Sequence, residues 1–166
     1  MMDQPDKHSF DIRDLNESDK PWVQRVLVQY WGSTTQITHG TKIAADELPG
    51  VAAIRDGAEV GLLTYQIQDD ACEIITHNSM AGHGGIGSCL LDGVRERARK
   101  QGCKRLWLIT TNDNTPALRF YQRRGFDMVA FHRDAVTKAR MLKAEIPNVG
   151  FDGIPIRHEI ELEYTL

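Results

Sequence analysis

The chain has 166 residues, of which 41% are hydrophobic, and a formal net charge of −3 at pH 7. We expect it to bury one core and form a single domain over residues 1–166, and the acidic balance argues against an extended nucleic-acid surface. The chain has neither the run of about eighteen apolar residues that spans a membrane nor the apolar core of a signal peptide at its start, so a cytoplasmic location is expected.

The first half of the chain is predicted to contain three strands and two helices. In chain order these are a strand over 10–15, a helix over 18–31, a helix over 42–48 and strands over 51–55 and 60–68. Ser18 or Asp19 is the cap of the first helix, because both side chains can accept from a free backbone N–H. Asp56 and Gly57 form the turn that joins the two last strands into an antiparallel hairpin.

A glycine-rich segment follows the next predicted strand, Ala71–Asn78. It reads Gly82-His83-Gly84-Gly85-Ile86-Gly87-Ser88 and precedes a helix whose apolar residues recur three and four positions apart. Glycines let the backbone approach an anion closely, and a helix N-terminus attracts negative charge. This order of elements indicates a diphosphate site, with a tight loop that binds nothing as the alternative.

The same glycines also match the fingerprint of a dinucleotide-binding domain, with Asp113 as the acidic residue that such a domain needs. About eighty residues precede the motif, and too few strand–helix alternations follow it for that fold. A Walker loop is excluded, because no Gly-Lys-Ser or Gly-Lys-Thr occurs. The pattern favours a nucleotide that is held through its pyrophosphate alone.

A second motif begins after the strand predicted over 104–111. Asn114 is a good N-cap, Pro116 fits the first turn of a helix, and Gly125 ends that helix. The helix carries a basic cluster, which we interpret as its solvated face rather than as a nucleic-acid surface; its members are Arg119, Arg123 and Arg124.

Asn114, Ala117 and Tyr121 fall at helical spacing within this motif. The string Asn-x-x-Ala-x-x-x-Tyr-x-x-x-Gly-Phe resembles motif B of the GNAT superfamily of N-acetyltransferases, and the run over residues 82–88 looks like motif A of that family. The order of elements agrees with the family over residues 12–131. Motif A usually begins with Arg or Gln followed by Gly, whereas Gly82 and His83 stand here, so a weaker affinity for the cofactor is expected.

The resemblance implies an α/β (α+β) fold with a mixed, mostly antiparallel, twisted sheet of about seven strands, flanked by helices and splayed between strands four and five. It also implies acetyl-CoA as the acyl-donor cosubstrate. The amine of a small molecule or peptide would attack the thioester directly and accept the acetyl group. A non-catalytic acyl-CoA sensor or interaction module on the same fold is the alternative, and a homodimer is compatible with either.

The resemblance assigns Tyr121 as the general acid that protonates the leaving thiolate, with a core tyrosine as the alternative. Glu73 lies on the strand where some family members carry a general base, although it could be a plain strand carboxylate, and a water relay would need no side chain. Strand alternation puts Glu73, Ile75 and His77 on one face, which makes His77 a second candidate.

The family's cofactor contacts fall on two further places. Backbone groups from Ile75 to His77 would pair with the acetyl-pantetheine arm, and Asn114 would add a contact. The phosphates would be held by residues of the loop and of the helix that follows it, namely His83, Gly84, Gly85, Ile86, Gly87 and Ser88. No metal site is expected, because the cysteines and histidines lack ligand spacing.

The end of the chain is predicted to hold a helical insertion and a final strand. Residues 132–155, with a helix over 134–145, form an insertion before the last strand that we expect to line or cover the acceptor pocket. A dimer contact or passive cover is the alternative. Residues 156–166 alternate as a strand, whose face with Glu159, Glu161 and Glu163 is predicted to be wet.

Overall fold

The computed structural model describes residues 10–80 and 84–166. Its strands are β1 (Asp11–Asp14), β2 (Thr35–Thr38), β3 (Thr41–Ala44), β4 (Gly50–Arg55), β5 (Ala58–Gln68), β6 (Ala71–Ser79), β7 (Arg105–Thr111), β8 (Asp127–His132) and β9 (Glu159–Thr165). Its α-helices are α1 (Lys20–Trp31), α2 (Ile86–Lys100), α3 (Thr115–Gln122) and α4 (Ala135–Ala139).

Seven strands form one sheet in the order β1-β4-β5-β6-β7-β9-β8, and β2 pairs with β3 in a separate hairpin. The neighbours β6 and β7 are parallel, and the other pairs in the sheet are antiparallel. The parallel pairing ends at Ile74 and Leu108, although β6 continues to Ser79 and β7 to Thr111. The sheet is therefore splayed between its fourth and fifth strands, and the predicted fold class is confirmed.

Helices cover both faces of the sheet, because neighbouring side chains of a strand point in opposite directions. Leu62 of β5 packs with Val23 and Leu27 of α1. The next residue, Leu63, packs with the apolar stripe of α2, which includes Leu90. We call these the α1 face and the α2 face. No helix in the described ranges has the length and apolar character needed to cross a bilayer.

The helix predicted over 42–48 is wrong. Residues 41–44 form β3, and only a short 3-10 turn, Ala45–Glu47, follows it. The β-branched residues of β2 and β3 favour extended backbone, and His39 and Gly40 adopt the positive φ values, 48° and 71°, that a tight hairpin turn requires. The hairpin lies over the α1 face, where the His39 ring is 5.0 Å from the ring of Trp107.

The wet face predicted for the last strand is wrong for its first part. Glu159 is only 9% exposed, and the Glu161 carboxylate accepts hydrogen bonds from Arg105 and His132. These glutamates lie on the face that the β2–β3 hairpin approaches, since the His39 ring is 6.0 Å from that of His132. The sequence did not predict the β2–β3 hairpin, and for that reason the glutamate face of β9 was wrongly predicted to be wet.

The segment before β9 contains less helix than predicted, because α4 ends at Ala139 rather than near residue 145. Beyond it the chain folds into turns around Arg140, whose guanidinium donates to the carbonyls of Ile146, Pro147 and Ile156. These carbonyls have no helical partner, so the arginine replaces the hydrogen bonds that a longer helix would make.

Candidate active site

A β-bulge in β6 divides the predicted site between the two faces of the sheet. Thr64 pairs with Thr76 and Tyr65 with Ile74, so Ile75 is an extra residue without a partner on β5. An extra residue in one strand reverses the alternation of the residues that follow it. The prediction that Glu73, Ile75 and His77 share one face is therefore wrong.

The contacts of these side chains show the division directly. Glu73 accepts from Thr38 of the hairpin, and Ile75 packs with the α1 cluster, so both lie on the α1 face. His77 contacts Tyr121 and the carbonyl of Gly87 on the α2 face. Of the two candidate bases, Glu73 thus lies on one side of the sheet and His77 on the other.

A cavity of about 420 Å³ opens on the α1 face at the splay. Its walls come from the end of α1, from β2, β6, β7 and β9, and from the segment after β8. Glu73, Glu159 and Lys143 contribute polar side chains, while Ile75 and Ile109 are among the apolar ones. The cavity falls within the range of about 300–1,000 Å³ that is usual for small-molecule sites.

Glu73 is held at the cavity wall by two neutral donors. Its residue is 5% exposed, and its two carboxylate oxygens accept from Thr38 Oγ1 at 2.7 Å and from Gln66 Nε2 at 2.8 Å. Each oxygen keeps a further lone pair that can meet a ligand. Geometry therefore places an oriented carboxylate at the wall of this cavity, which a general base requires.

Tyr121 and His77 form a hydrogen-bonded pair on the α2 face. The Gly87 carbonyl can only accept, so His77 Nε2 donates to it at 3.0 Å, and His77 Nδ1 accepts from the Tyr121 hydroxyl at 2.6 Å. Burial lowers the pKa of His77 to about 4 and raises the pKa of Tyr121, so both side chains are neutral at physiological pH. Tyr121 is 4% exposed and belongs to the core cluster, so the structure supplies a protonated donor without placing its hydroxyl in the cavity.

The start of α2 has the features of an anion site. Gly84 and Gly85 adopt φ values of 84° and 85°, which side chains other than glycine rarely tolerate. Within residues 10–80 and 84–166 no side chain caps the helix, so its first N–H groups are open to a ligand. A Cβ at Gly87 would lie 3.3 Å from the Phe120 ring and from Ser79 Oγ. The space beside the Gly87 backbone is therefore narrow, and glycine leaves it open to a ligand. His83 lies outside the described residues.

The basic cluster of α3 lies beside this helix start rather than on a purely solvated face. Arg124 donates to Ser88 Oγ from Nε at 3.0 Å and stacks over the Phe120 ring at 3.6 Å. Arg119 and Arg123 line an open groove of about 900 Å³ with Arg124. Arg124, which follows the end of α3, thus brings a cation to the first turn of α2, whereas motif A of this chain lacks the arginine that is usual in the family. The uncapped helix, the glycines and these cations fit the phosphates of acetyl-CoA.

The remaining predicted contacts fall in three places. Asn114 Oδ1 accepts from the Ala117 N–H at 3.2 Å as the N-cap of α3, and Asn114 also lines the cavity. Ile86 is 1% exposed, so its side chain belongs to the core, and only its backbone can meet a ligand. Ile75 is half-buried and lines the cavity at the bulge.

The structure adds polar residues that sequence reasoning missed. Thr38 and Gln66 hold Glu73, Glu159 lines the cavity, and Lys143 closes one wall. The Lys143 ammonium donates to the carbonyls of Trp31 and Thr35, both at 3.0 Å, and so ties the segment after β8 to the end of α1. Burial lowers the pKa of this lysine. The sequence around Lys143 also holds Lys138, Arg140 and Glu145, so no local signal distinguished this lysine.

Comparisons with known proteins agree with this geometry. The model of the acetyltransferase (GNAT) family matches residues 11–126. The chain is 43% identical over 146 residues to the uncharacterized protein YdhI of Bacillus subtilis (strain 168), which covers 87% of this chain and 91% of YdhI. It therefore belongs to the acetyltransferase (GNAT) family.

Two solved structures show the same fold. The IAA acetyltransferase of Bacillus cereus ATCC 14579 aligns with a TM-score of 0.75 at 22% identity, covering 95% of this chain and 100% of that one. A GNAT family acetyltransferase of Elizabethkingia anophelis with acetyl-CoA bound aligns with a TM-score of 0.67 at 19% identity, covering 95% and 98%. Acetyl-CoA is the acyl donor of the family, which confirms the predicted cosubstrate.

Proposed function

We propose that this protein transfers the acetyl group of acetyl-CoA to a primary amine of a small molecule. The observation that carries the proposal is the cavity of about 420 Å³ at the splay, with the carboxylate of Glu73 in its wall. Its β6 wall includes Ile75, where the family resemblance puts the acetyl-pantetheine arm. An amine in this cavity would therefore meet the thioester.

The reaction needs a proton acceptor on the amine side. An alkylamine is protonated near neutral pH and must lose a proton before its nitrogen can attack. The Glu73 carboxylate lines the cavity and is fixed by two hydrogen bonds. We therefore assign Glu73 as the base that accepts the proton from the amine. Its two donors, Thr38 and Gln66, are uncharged side chains that hold the carboxylate in place.

The reaction also needs a proton for the departing thiolate. Tyr121 remains our candidate for this donor, since burial keeps its hydroxyl protonated. Its hydroxyl donates to His77, so proton delivery requires that the hydroxyl leave His77 and turn toward the sulfur. A homodimer and a cytoplasmic location stay predictions.

A thiol-release assay tests the proposal. Acetyl-CoA is supplied with a panel of alkylamines, amino acids and peptides, and free thiol is measured for the wild type and for Glu73→Gln. We expect release with at least one small amine, and a fall of about 10²- to 10⁴-fold in kcat for E73Q. Tight binding of acetyl-CoA without release for any amine would instead favour the sensor function.

A further inference from the structure

Of the three glutamates in the described lining of the cavity, Glu73 and Glu159 are buried and Glu145 is exposed, and Glu159 has no function in the mechanism above. Glu159 is at least nine-tenths buried at 9% exposure and lines the same cavity as Glu73. In the described ranges 10–80 and 84–166, no donor forms a hydrogen bond with its carboxylate. Buried carboxylates are normally paired, and His39 and His132 lie near Glu159 without a hydrogen bond to it, so its carboxylate can still take a cationic partner that donates to it directly.

The carboxylate of Glu159 remains accessible from the cavity. Among the described residues, Arg95 Nε is the sole fully enclosed side-chain polar atom without a partner, so the unpaired oxygens of Glu159 must retain contact with open space. That space is the cavity, which Glu159 lines. Burial raises the pKa of Glu159, because the enclosure penalises its charge, and a bound cation would offset that penalty.

The other charges in the cavity restrict the ligand further. Within the described lining, Lys143 is the one cationic side chain, and its ammonium donates to two backbone carbonyls and approaches Gln36 Oε1 at 3.5 Å. All three of its N–H groups are thereby directed at the protein. An acceptor with a carboxylate would find no free donor there and would meet three glutamates, because Glu145 also lines the cavity.

We propose that Glu159 binds a second ammonium group of the acceptor, so that the substrate is a small diamine. This inference rests on the proposed function. Glu73 receives the amine that is acetylated, and Glu159 binds the one that is not. The apolar residues of the same lining, including Ile109 and Val136, suit an alkyl chain. Glu159 is accordingly a specificity-determining residue that does not contact the reacting atoms.

Matched pairs of amines test this assignment. The probes are diamines from 1,3-diaminopropane to 1,6-diaminohexane and the monoamines of equal chain length, each assayed with acetyl-CoA. A charge-assisted hydrogen bond should give one diamine a kcat/KM about 10- to 100-fold above that of its monoamine. Glu159→Gln should abolish that preference through the KM of the diamine, while kcat/KM for the monoamine stays unchanged.

Glu163→Gln is the control, because Glu163 lies on the same strand but pairs with Arg105. It should keep the preference, and the melting temperature of E159Q should not fall, since an uncompensated buried charge is removed. Equal kcat/KM for both amine classes in the wild type overturns the inference and leaves the proposed function intact. A fall of kcat in E159Q for both classes also overturns it.

Calorimetric titration with the preferred diamine gives a readout that does not need turnover. Binding to the wild type and to E163Q, at least about tenfold weaker in E159Q, supports the inference even if no amine releases thiol. In that case the proposed function fails alone. Equal binding to the wild type and to E159Q would show that the diamine does not meet this carboxylate, and the inference would fail alone.

Discussion

Removal of the Tyr121 hydroxyl tests both the buried pair and the proposed acid. Tyr121→Phe keeps the ring, which lies 5.0 Å from Phe120 and 5.2 Å from Phe126, and deletes only the donor to His77 Nδ1. A buried acceptor left without its donor costs about 1–3 kcal/mol. For a chain of this size, each kcal/mol lowers the melting temperature by about 2–4 °C, so a fall of roughly 2–12 °C is expected.

A double variant separates stability from catalysis. Replacing both partners of a buried hydrogen bond by apolar groups is nearly neutral, but His77→Leu also removes the donor to the Gly87 carbonyl, so Tyr121→Phe with His77→Leu should regain only part of the lost melting temperature. If Tyr121 protonates the thiolate, kcat falls by about 10²- to 10⁴-fold in the single variant and stays low in the double variant. Calorimetric melting and single-turnover thiol release measure the two effects.

Tyr164→Phe is the control for this pair of variants. Its ring also packs against Phe126, at 5.5 Å, but no hydrogen bond to its hydroxyl occurs within the described residues. The melting temperature and kcat should not change. The reasoning is refuted if Y121F melts like the wild type, because the hydroxyl would then not be bonded to His77. Recovery of kcat in the double variant would show that Tyr121 has a structural role and does not protonate the thiolate.

Acetyl-CoA at a hundredfold excess over its Kd should stabilise the fold by about 2.7 kcal/mol in thermal melts, and NAD should not; the opposite result would revive the dinucleotide interpretation. Arg124→Gln should raise the Kd for acetyl-CoA by about 10- to 100-fold in calorimetry, whereas Arg25→Gln on α1 should not. Gly150→Ala places a Cβ within 1.9 Å of Asp113 Oδ2, which must shift the segment that also supplies Ile146 and Pro147 to the cavity. The variant should therefore raise the KM of the acceptor more than the KM of acetyl-CoA. Equal KM changes would separate that segment from the acceptor site.

Stability should also depend on pH through His77. Its pKa is about 4 in the folded chain and near 6.5 when unfolded, so the unfolded chain binds the extra proton between these values. Wild-type stability should therefore fall as the pH decreases from about 6.5 to 4. Urea melts at a series of pH values should show a smaller loss for the variant with both Tyr121→Phe and His77→Leu, and an equal loss would contradict the assignment.

Local signals in the sequence predicted the two helix starts that flank the proposed donor site. Glycines at left-handed φ, the Asn114 cap and the Pro116 turn act through neighbouring residues, so the starts of α2 and α3 could be predicted. The bulge at Ile75 could not, because it is defined by pairing with β5. The burial of Glu159 likewise depends on strands and segments far along the chain, and the bond from Arg124 to Ser88 joins residues 36 positions apart.

Because of the bulge at Ile75, β6 presents Glu73 on one face of the sheet and His77 on the other. A regular strand would have put Glu73 and His77 in one compartment, and any change to the acceptor side would have disturbed the partner of Tyr121. Because the bulge reverses the side-chain alternation after Ile75, substitutions in the lining around Glu73 can suit a different amine without altering the contacts of His77. If the proposed roles of Glu73 and Tyr121 hold, substrate range and thiol protonation can therefore change independently along one strand.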